Sequence, residues 1–469
     1  MAYKTINPYT NELVKTYPNH DDAYVEKTLS KADALYHQWR NQPVKERTVL
    51  LQAVSDYFTA HTDELAKVLT IDMGKRLSEA KGEVAICAAI AQYYADHGEE
   101  MLQPQTIKSS AGEAREEKHP VGTLMMVEPW NFPYYQLMRV FAPNFAVGNP
   151  VVYKHASNTP ASAAAFEEAV CNAGVPDGSC TNLFISYDQV SNVIADKRIH
   201  GVALTGSERA GKKVAAEAGQ NLKKSTLELG GSDAFIVAED ANLEEVNKVA
   251  TSARLYNAGQ VCTSSKRFII TENHYDEFLA ALKKSFAQVK WGDPMDDATT
   301  LAPLCTVSAK EKLQAQVDDA IANGATLEYG NQPIDHPGNF FEPTILTNIT
   351  RDNPAYFTEF FGPVAQVYKV KDDAAAIKLA NDSDYGLGGV VFAGNPKHGA
   401  EIASQIETGQ VFVNTYFGTL PELPFGGVKN SGYGRELGHL GINEFVNNEL
   451  VVVNPEPKVD FENTFGGFV

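Results

Sequence analysis

The chain has 469 residues, 43% of them hydrophobic, and a formal net charge of −19. That length supports two or three lobes with large cores, and the negative balance, with no offsetting Lys/Arg stripe, argues against a polyanion such as DNA as partner. Five cysteines (Cys87, Cys171, Cys180, Cys262 and Cys305) with no CxxC spacing argue against a disulfide framework or a zinc knuckle and fit a reducing compartment.

The N-terminal MAYKTINPYTNELV is too polar for a signal peptide. No apolar run approaches the ~18–20 residues of a membrane span. A cytoplasmic protein with neither membrane nor nucleic-acid partner is expected. Residues 21–100 read as helical: DDAYVEKTLSKADALYHQW opens on an Asp pair suited to an N-cap, and PVKERTVLLQAVSDYF starts with Pro43 in the first turn. Residues 101–118 are polar and read as a surface loop or exposed hairpin.

The pattern then changes. VGTLMMVE, NPVVYK, NLFIS, HGVALTG and STLEL are short β-like runs, separated by helical stretches near 136–147, 160–173, 189–196 and 208–218. A second alternating set follows: DAFIVA, a helix at 242–256, KRFII and a helix at 274–290. Apolar strands alternating with helices predict an α/β fold of two lobes with parallel sheets covered on both faces. The tail EFVNNELVVVN reads as an apolar late strand, expected to pair with another subunit's sheet because an unpaired apolar edge is hazardous.

Four stretches carry chemistry. In NAGQVCTSSKR, Cys262 sits among small and polar residues where substrate could approach. That suits a nucleophile of lowered thiol pKa, the alternative being a structural filler. In STLELGGSDAF, Glu228 ends an apolar strand, where burial raises a carboxylate toward the range of a general base; it could equally cap a neighbour. In VEPWNFPYYQLMR, Pro129 and Pro133 bracket a rigid turn that holds the Asn131 amide, either as an oxyanion-hole donor or as a helix cap. In ALTGSERAG, Gly206 and Ser207 open a helix whose free N–H groups could take a phosphate, or simply form a tight turn.

Together these stretches resemble the NAD(P)-dependent aldehyde dehydrogenase superfamily along nearly the whole chain: PWNFP, KHAS, TGS, LELGGSD, GQVC, EFFGPV and LPFGGVKNSGYGRE occur in family order, and the spacing from Glu228 to Cys262 also fits. The resemblance implies an aldehyde dehydrogenase-like fold with a Rossmann-like cofactor domain (1–105 with 128–235), a catalytic domain (236–430) and an oligomerisation element (106–127 with 431–469), assembled as a homodimer or homotetramer. It implies attack by Cys262 on an aldehyde, an oxyanion held by Asn131 and the Cys262 N–H, hydride transfer to nicotinamide, and hydrolysis of the resulting thioester by water activated by Glu228. Members that pass the acyl group to coenzyme A usually lack this Glu. Glu436 matches a second family carboxylate, which either assists the base or forms a surface salt bridge.

The resemblance also implies that Trp130, Lys154, Gly206, Ser207, Leu229, Glu359 and Phe361 line the cofactor site. Lys154 would reach the adenosine ribose. Ser157 stands where strict NAD users carry a Glu, so NADP is expected to be accepted at least as well as NAD, unless Ser157 only caps its helix. Tyr135 and Arg139 are four apart and share a helix face. Relatives acting on succinate semialdehyde place an arginine at the Arg139 position, to grip a carboxylate; the alternative is an arginine paired with an internal acid. Some of them carry a second arginine where this chain has Tyr256, so Tyr256 and Thr419 are expected to help Arg139. The implied reaction is oxidation of succinate semialdehyde to succinate. The alternatives are another small aldehyde such as glutarate semialdehyde, or a retired structural homologue. A cysteine protease would need a histidine near Cys262, and none of the eleven histidines stands in such a context. No metal site is expected.

Overall fold

The computed structural model describes residues 3–416 and 419–455. Two sheets dominate. The first has six strands in the order Gly432–Tyr433, Lys224–Glu228, Ile199–Thr205, Thr123–Glu128, Val151–His155 and Cys180–Asn182, parallel except for the antiparallel Gly432–Tyr433 edge. The second has seven: Thr326–Tyr329, Thr344–Thr347, Val364–Val370, Ser265–Thr271, Asp233–Val237, Gly389–Phe392 and Phe412–Val413, with only the first antiparallel. Strands such as Val151–His155 and Ser265–Thr271 are buried at every position, as a sheet covered on both faces requires. The structure thus carries the two expected α/β lobes.

Helices fall where the apolar spacing places them. Asp21 caps the helix Asp22–Trp39 by accepting from the Tyr24 N–H. The helix Pro133–Val147 is buried on all sides, so it is a core element rather than an amphipathic one. Its first turn is held by a buried carboxylate: Glu83 accepts from the N–H groups of Tyr134 (2.8 Å) and Tyr135 (3.2 Å), satisfying two donors that no helix can satisfy internally. Lys75 pairs with that same Glu83 and lays its ammonium 3.7 Å from the centre of the Phe132 ring.

The tail departs from expectation. Val446–Val453 pairs within the chain, antiparallel to Glu113–Pro120, which also pairs with Gln105–Ile107. The polar segment after residue 101 is therefore a hairpin, and it covers one edge of the apolar strand. The strand Thr123–Glu128, which the expected segmentation cuts at 127/128, lies in the middle of the six-stranded sheet because Leu124, Met125 and Met126 are fully buried. No helix among the described residues is long and apolar enough to cross a membrane.

Asn149 ties the tail to the first sheet. Its Oδ1 accepts from the Gly122 N–H (3.0 Å), and its Nδ2 donates to the Asn144 Oδ1 (3.2 Å) and the Phe445 carbonyl (2.7 Å). Asn149→Ala strands a buried donor and two buried acceptors. We expect a loss of about 2–4 kcal/mol in denaturant unfolding; a loss below the ±0.5 kcal/mol or so typical of a surface substitution contradicts this role.

Candidate active site

Two loops from different sheets meet at the site. The first, Pro129–Phe132, follows the strand Thr123–Glu128. The second follows the helix Leu243–Leu255 and turns through three successive left-handed residues, Asn257 (φ 51°), Ala258 (φ 53°) and Gly259 (φ 75°), before Cys262 and the strand Ser265–Thr271. Only glycine fits at 259: a Cβ there would stand 2.4 Å from the Gly362 carbonyl oxygen.

The loops lock each other. The Asn131 Nδ2 donates to the Gln260 carbonyl (3.0 Å), and the Asn257 Nδ2 donates to the Asn131 carbonyl (2.9 Å). An amide nitrogen has two hydrogens, so Asn131 keeps one free. The Cys262 N–H has no partner among the described residues. These two donors and the half-buried Cys262 thiol share one cleft of about 560 Å³. Trp130, Gly206, Ser207, Leu229, Glu359 and Phe361 line the same cleft. It lies at the carboxyl ends of parallel strands, where open α/β sheets bind ligands.

The remaining residues sit around it. Glu228 is 2% exposed, does not line the cleft, and neither of its carboxylate oxygens has a hydrogen-bond partner. Burial, followed by the nearby Glu436 carboxylate, holds its pKa well above the ordinary range. Lys154 is buried, and its ammonium donates to the His155 carbonyl (2.9 Å); burial brings it down to about 8. Its spare N–H donors fit a phosphate. Ser157 lies just beyond that strand, where its carbonyl accepts from the Lys4 N–H (3.1 Å). The Tyr135 and Thr419 hydroxyls meet at 2.8 Å, and Phe132 packs between Tyr135 and Tyr256, stacking on the latter.

Arg139 follows the alternative left open above: it is 1% exposed and paired through Nε with an internal acid, Glu436. It also donates to the Thr205 Oγ1 (3.0 Å) and, more weakly, to the Tyr135 hydroxyl (3.4 Å). A guanidinium has five N–H groups, so one on each terminal nitrogen remains available. Glu436 is correspondingly a buried ion-pair partner, not a surface one.

Two cations went unnoticed in the sequence. Lys266 donates to the carbonyls of Val261 (2.8 Å) and Cys262 (2.7 Å) and pairs with Glu359 (3.2 Å). Arg254, fully buried, donates to Val364 O (2.6 Å), Phe360 O (2.7 Å), Gly259 O (3.3 Å), Ser264 Oγ (2.6 Å) and Gly362 O, and has no acidic partner among the described residues. It straps the Cys262 loop to the segment bearing Glu359 and Phe361. An arginine inside an otherwise apolar helix end was the only available signal. Among the described residues no cluster of His, Cys, Asp or Glu is arranged to hold a metal ion.

Burial pushes the Cys262 thiol up to about 11, against the pull of Lys266 and then Arg139. At neutral pH Cys262 therefore rests as a thiol. Alkylation of Cys262 by iodoacetamide, followed by peptide mapping, should climb about tenfold per pH unit through pH 7–9. Lys266→Met should slow it at every pH, because the cation that favours the thiolate is gone. A plateau near neutrality in the parent protein contradicts this reading.

Comparison with known proteins agrees with the geometry. The Aldehyde dehydrogenase family model matches residues 1–451. A Deinococcus radiodurans protein named succinate-semialdehyde dehydrogenase (NADP(+)) is 46% identical, over 97% of this chain and 95% of its own. A Mycobacterium avium protein of the same name is 40% identical, over 98% of each chain. The crystal structure of succinic semialdehyde dehydrogenase from Streptococcus pyogenes, in complex with NADP+, superposes with a TM-score of 0.95 at 54% identity, covering 96% of this chain and 100% of that one. The family model over nearly the whole chain, with relatives at 40–46% identity, places the protein in the aldehyde dehydrogenase family.

Proposed function

We propose that the chain oxidises succinate semialdehyde to succinate with NADP+. The observation that carries this is the Cys262 thiol sharing one cleft wall with two free N–H donors, Asn131 Nδ2 and its own backbone, in a family whose similar members are named for that substrate and cofactor.

The Cys262 sulfur attacks the aldehyde carbon once its proton has left. The oxyanion that forms falls to the Asn131 amide and the Cys262 N–H, donors already fixed by the loop lock, so little reorganisation is needed as charge develops. A bound nicotinamide supplies the acceptor for the hydride. Glu359, anchored by the Gly231 N–H (3.1 Å) and Lys266, offers its second oxygen to a ribose hydroxyl, and Phe361 supplies an apolar wall. Lys154 and Ser157 favour a 2′-phosphate: one brings a cation, the other leaves no carboxylate to repel it. Glu228, kept basic by burial, takes a proton from water, and that water releases the acid from the Cys262 thioester.

The two spare N–H groups of Arg139, with the Tyr135 and Thr419 hydroxyls, supply donors for the far carboxylate of the substrate, and the stacked Phe132 and Tyr256 rings form the apolar wall beside them. We assign the cofactor-binding role to 1–105 with 128–235 and the catalytic role to 236–430. The outer edge of Val446–Val453, with Leu450 64% and Val452 43% exposed, is our candidate seam for a homodimer or homotetramer. Five free thiols suit a cytoplasmic setting.

Removing Arg139 alone leaves Glu436 buried and uncompensated, which destabilises a protein regardless of function. The informative variant is therefore the double change Arg139→Met with Glu436→Gln. We expect its KM for succinate semialdehyde to rise about tenfold or more, at least ~1.4 kcal/mol of lost binding, with KM for butanal within about twofold of the parent. A panel of aldehydes run with both nucleotides reads this directly; equal effects on the charged and the neutral aldehyde contradict the assignment.

A further inference from the structure

One buried carboxylate has no part in the mechanism above. Glu128 ends the central strand of the first sheet, is 3% exposed, and has no donor in full hydrogen-bond geometry at either oxygen, the nearest being the Thr205 hydroxyl. Leaving an acid so deep without a donor is costly, so its position needs a reason.

The ladder register supplies one. Glu228 pairs with Thr205, and Val127 pairs with Leu204, which sets Glu128 beside Thr205. Residues level with one another on adjacent strands project to the same face of a sheet. Glu228, Thr205 and Glu128 therefore form a row across the carboxyl ends of three neighbouring strands, with Thr205 in the middle. Arg139 sits over that middle position and donates to the Thr205 Oγ1 at 3.0 Å. A hydroxyl has one proton to give and two lone pairs. With one lone pair taken by Arg139, Thr205 can accept from one carboxyl group and donate to the other.

We propose that Glu128 is the proton acceptor behind the general base, reached through the Thr205 hydroxyl. This rests on the reading of Glu228 as the base that hydrolyses the Cys262 thioester. A water O–H bond breaks, and its proton goes to the Glu228 carboxylate. The oxygen bonds the acyl carbon, and the C–S bond breaks to leave a Cys262 thiolate. The Glu228 carboxyl then gives its proton to the Thr205 Oγ, whose own proton moves to Glu128. Glu228 is restored as a base, and one negative charge has crossed from Glu128 to Glu228 under the same guanidinium. Glu228 lies outside the cleft wall, so this row gives its proton a holding place that a bound cofactor does not cover; once the acid has left, the proton returns through Thr205 and Glu228 to the Cys262 thiolate, and Glu128 is free to accept again. The charged groups around the row are Arg139 from the helix above and Glu436 and Arg435 from the segment after Gly432–Tyr433; His155, paired with Glu128 on the next strand, is kept neutral by burial. Burial raises both carboxyl groups well above their ordinary range, so both can hold a proton in turn.

The test separates hydride transfer from hydrolysis. Glu128→Gln, Glu128→Asp, Thr205→Val and Glu228→Gln are mixed with aldehyde and NADP+, and the first-turnover burst of NADPH is recorded alongside steady-state turnover. We expect Glu128→Gln and Thr205→Val to keep the burst rate within about twofold while steady-state kcat falls about tenfold or more, with Glu128→Asp recovering part of the loss. An unchanged kcat in Glu128→Gln overturns the proposal. So does a burst that slows in step with kcat, since that marks a merely structural role. Glu228→Gln is the control: if it shows no burst followed by slow turnover, the hydrolysis reading itself fails. If it does and Glu128→Gln does not, only the relay fails.

Discussion

The site depends on a reciprocal pair of hydrogen bonds between two loops that belong to different sheets. Asn131 gives one amide hydrogen to the Gln260 carbonyl, and Asn257 gives one to the Asn131 carbonyl, at 3.0 and 2.9 Å. Neither sheet alone could set the distance between the Cys262 thiol and the Asn131 amide. The lock does so, and it spends only one of the Asn131 hydrogens, so positioning and chemistry use different parts of one side chain. Arg254 extends the same logic to the segment bearing Glu359 and Phe361: a cation with main-chain and hydroxyl acceptors, and no acid partner among the described residues, can bind several turns of loop at once.

Charge is the second organising constraint. Glu128, Glu228 and Glu436 are all buried around one buried guanidinium, Arg139. Three carboxylates crowded around one buried cation raise one another's proton affinity in a poorly solvated space, so the cluster tends to hold protons. The same burial keeps Cys262 a thiol at rest, which makes attack contingent on groups that assemble with the substrate. Lys266 limits the cost by holding a positive charge next to the loop while clamping two of its carbonyls.

The main features of the fold were legible because strand and helix periods alternate cleanly along the chain, and because Cys262, Glu228, Asn131 and the Gly206–Ser207 turn each lie in a motif whose local geometry has a chemical use. What stayed hidden depends on partners distant in sequence. The counterion of Arg139 could not be named because Glu436 lies far along the chain. Arg254 looked like a helix end because its acceptors are main-chain carbonyls, which no side-chain pattern reveals. The late strand Val446–Val453 was rightly read as needing a partner, but an apolar edge does not say which partner, and the covering hairpin at Glu113–Pro120 is too polar to advertise itself. Glu128 drew no notice, since its meaning comes from the register that sets it beside Thr205.

The central claim is that carbon is transferred through sulfur at Cys262. Mass mapping of the Glu228→Gln protein, quenched after mixing with succinate semialdehyde and NADP+, tests it directly. The account predicts an acyl adduct on the peptide containing Cys262, absent from Cys262→Ser and released by hydroxylamine. An unmodified Cys262 peptide in a protein that has nonetheless produced a stoichiometric burst of NADPH would contradict it.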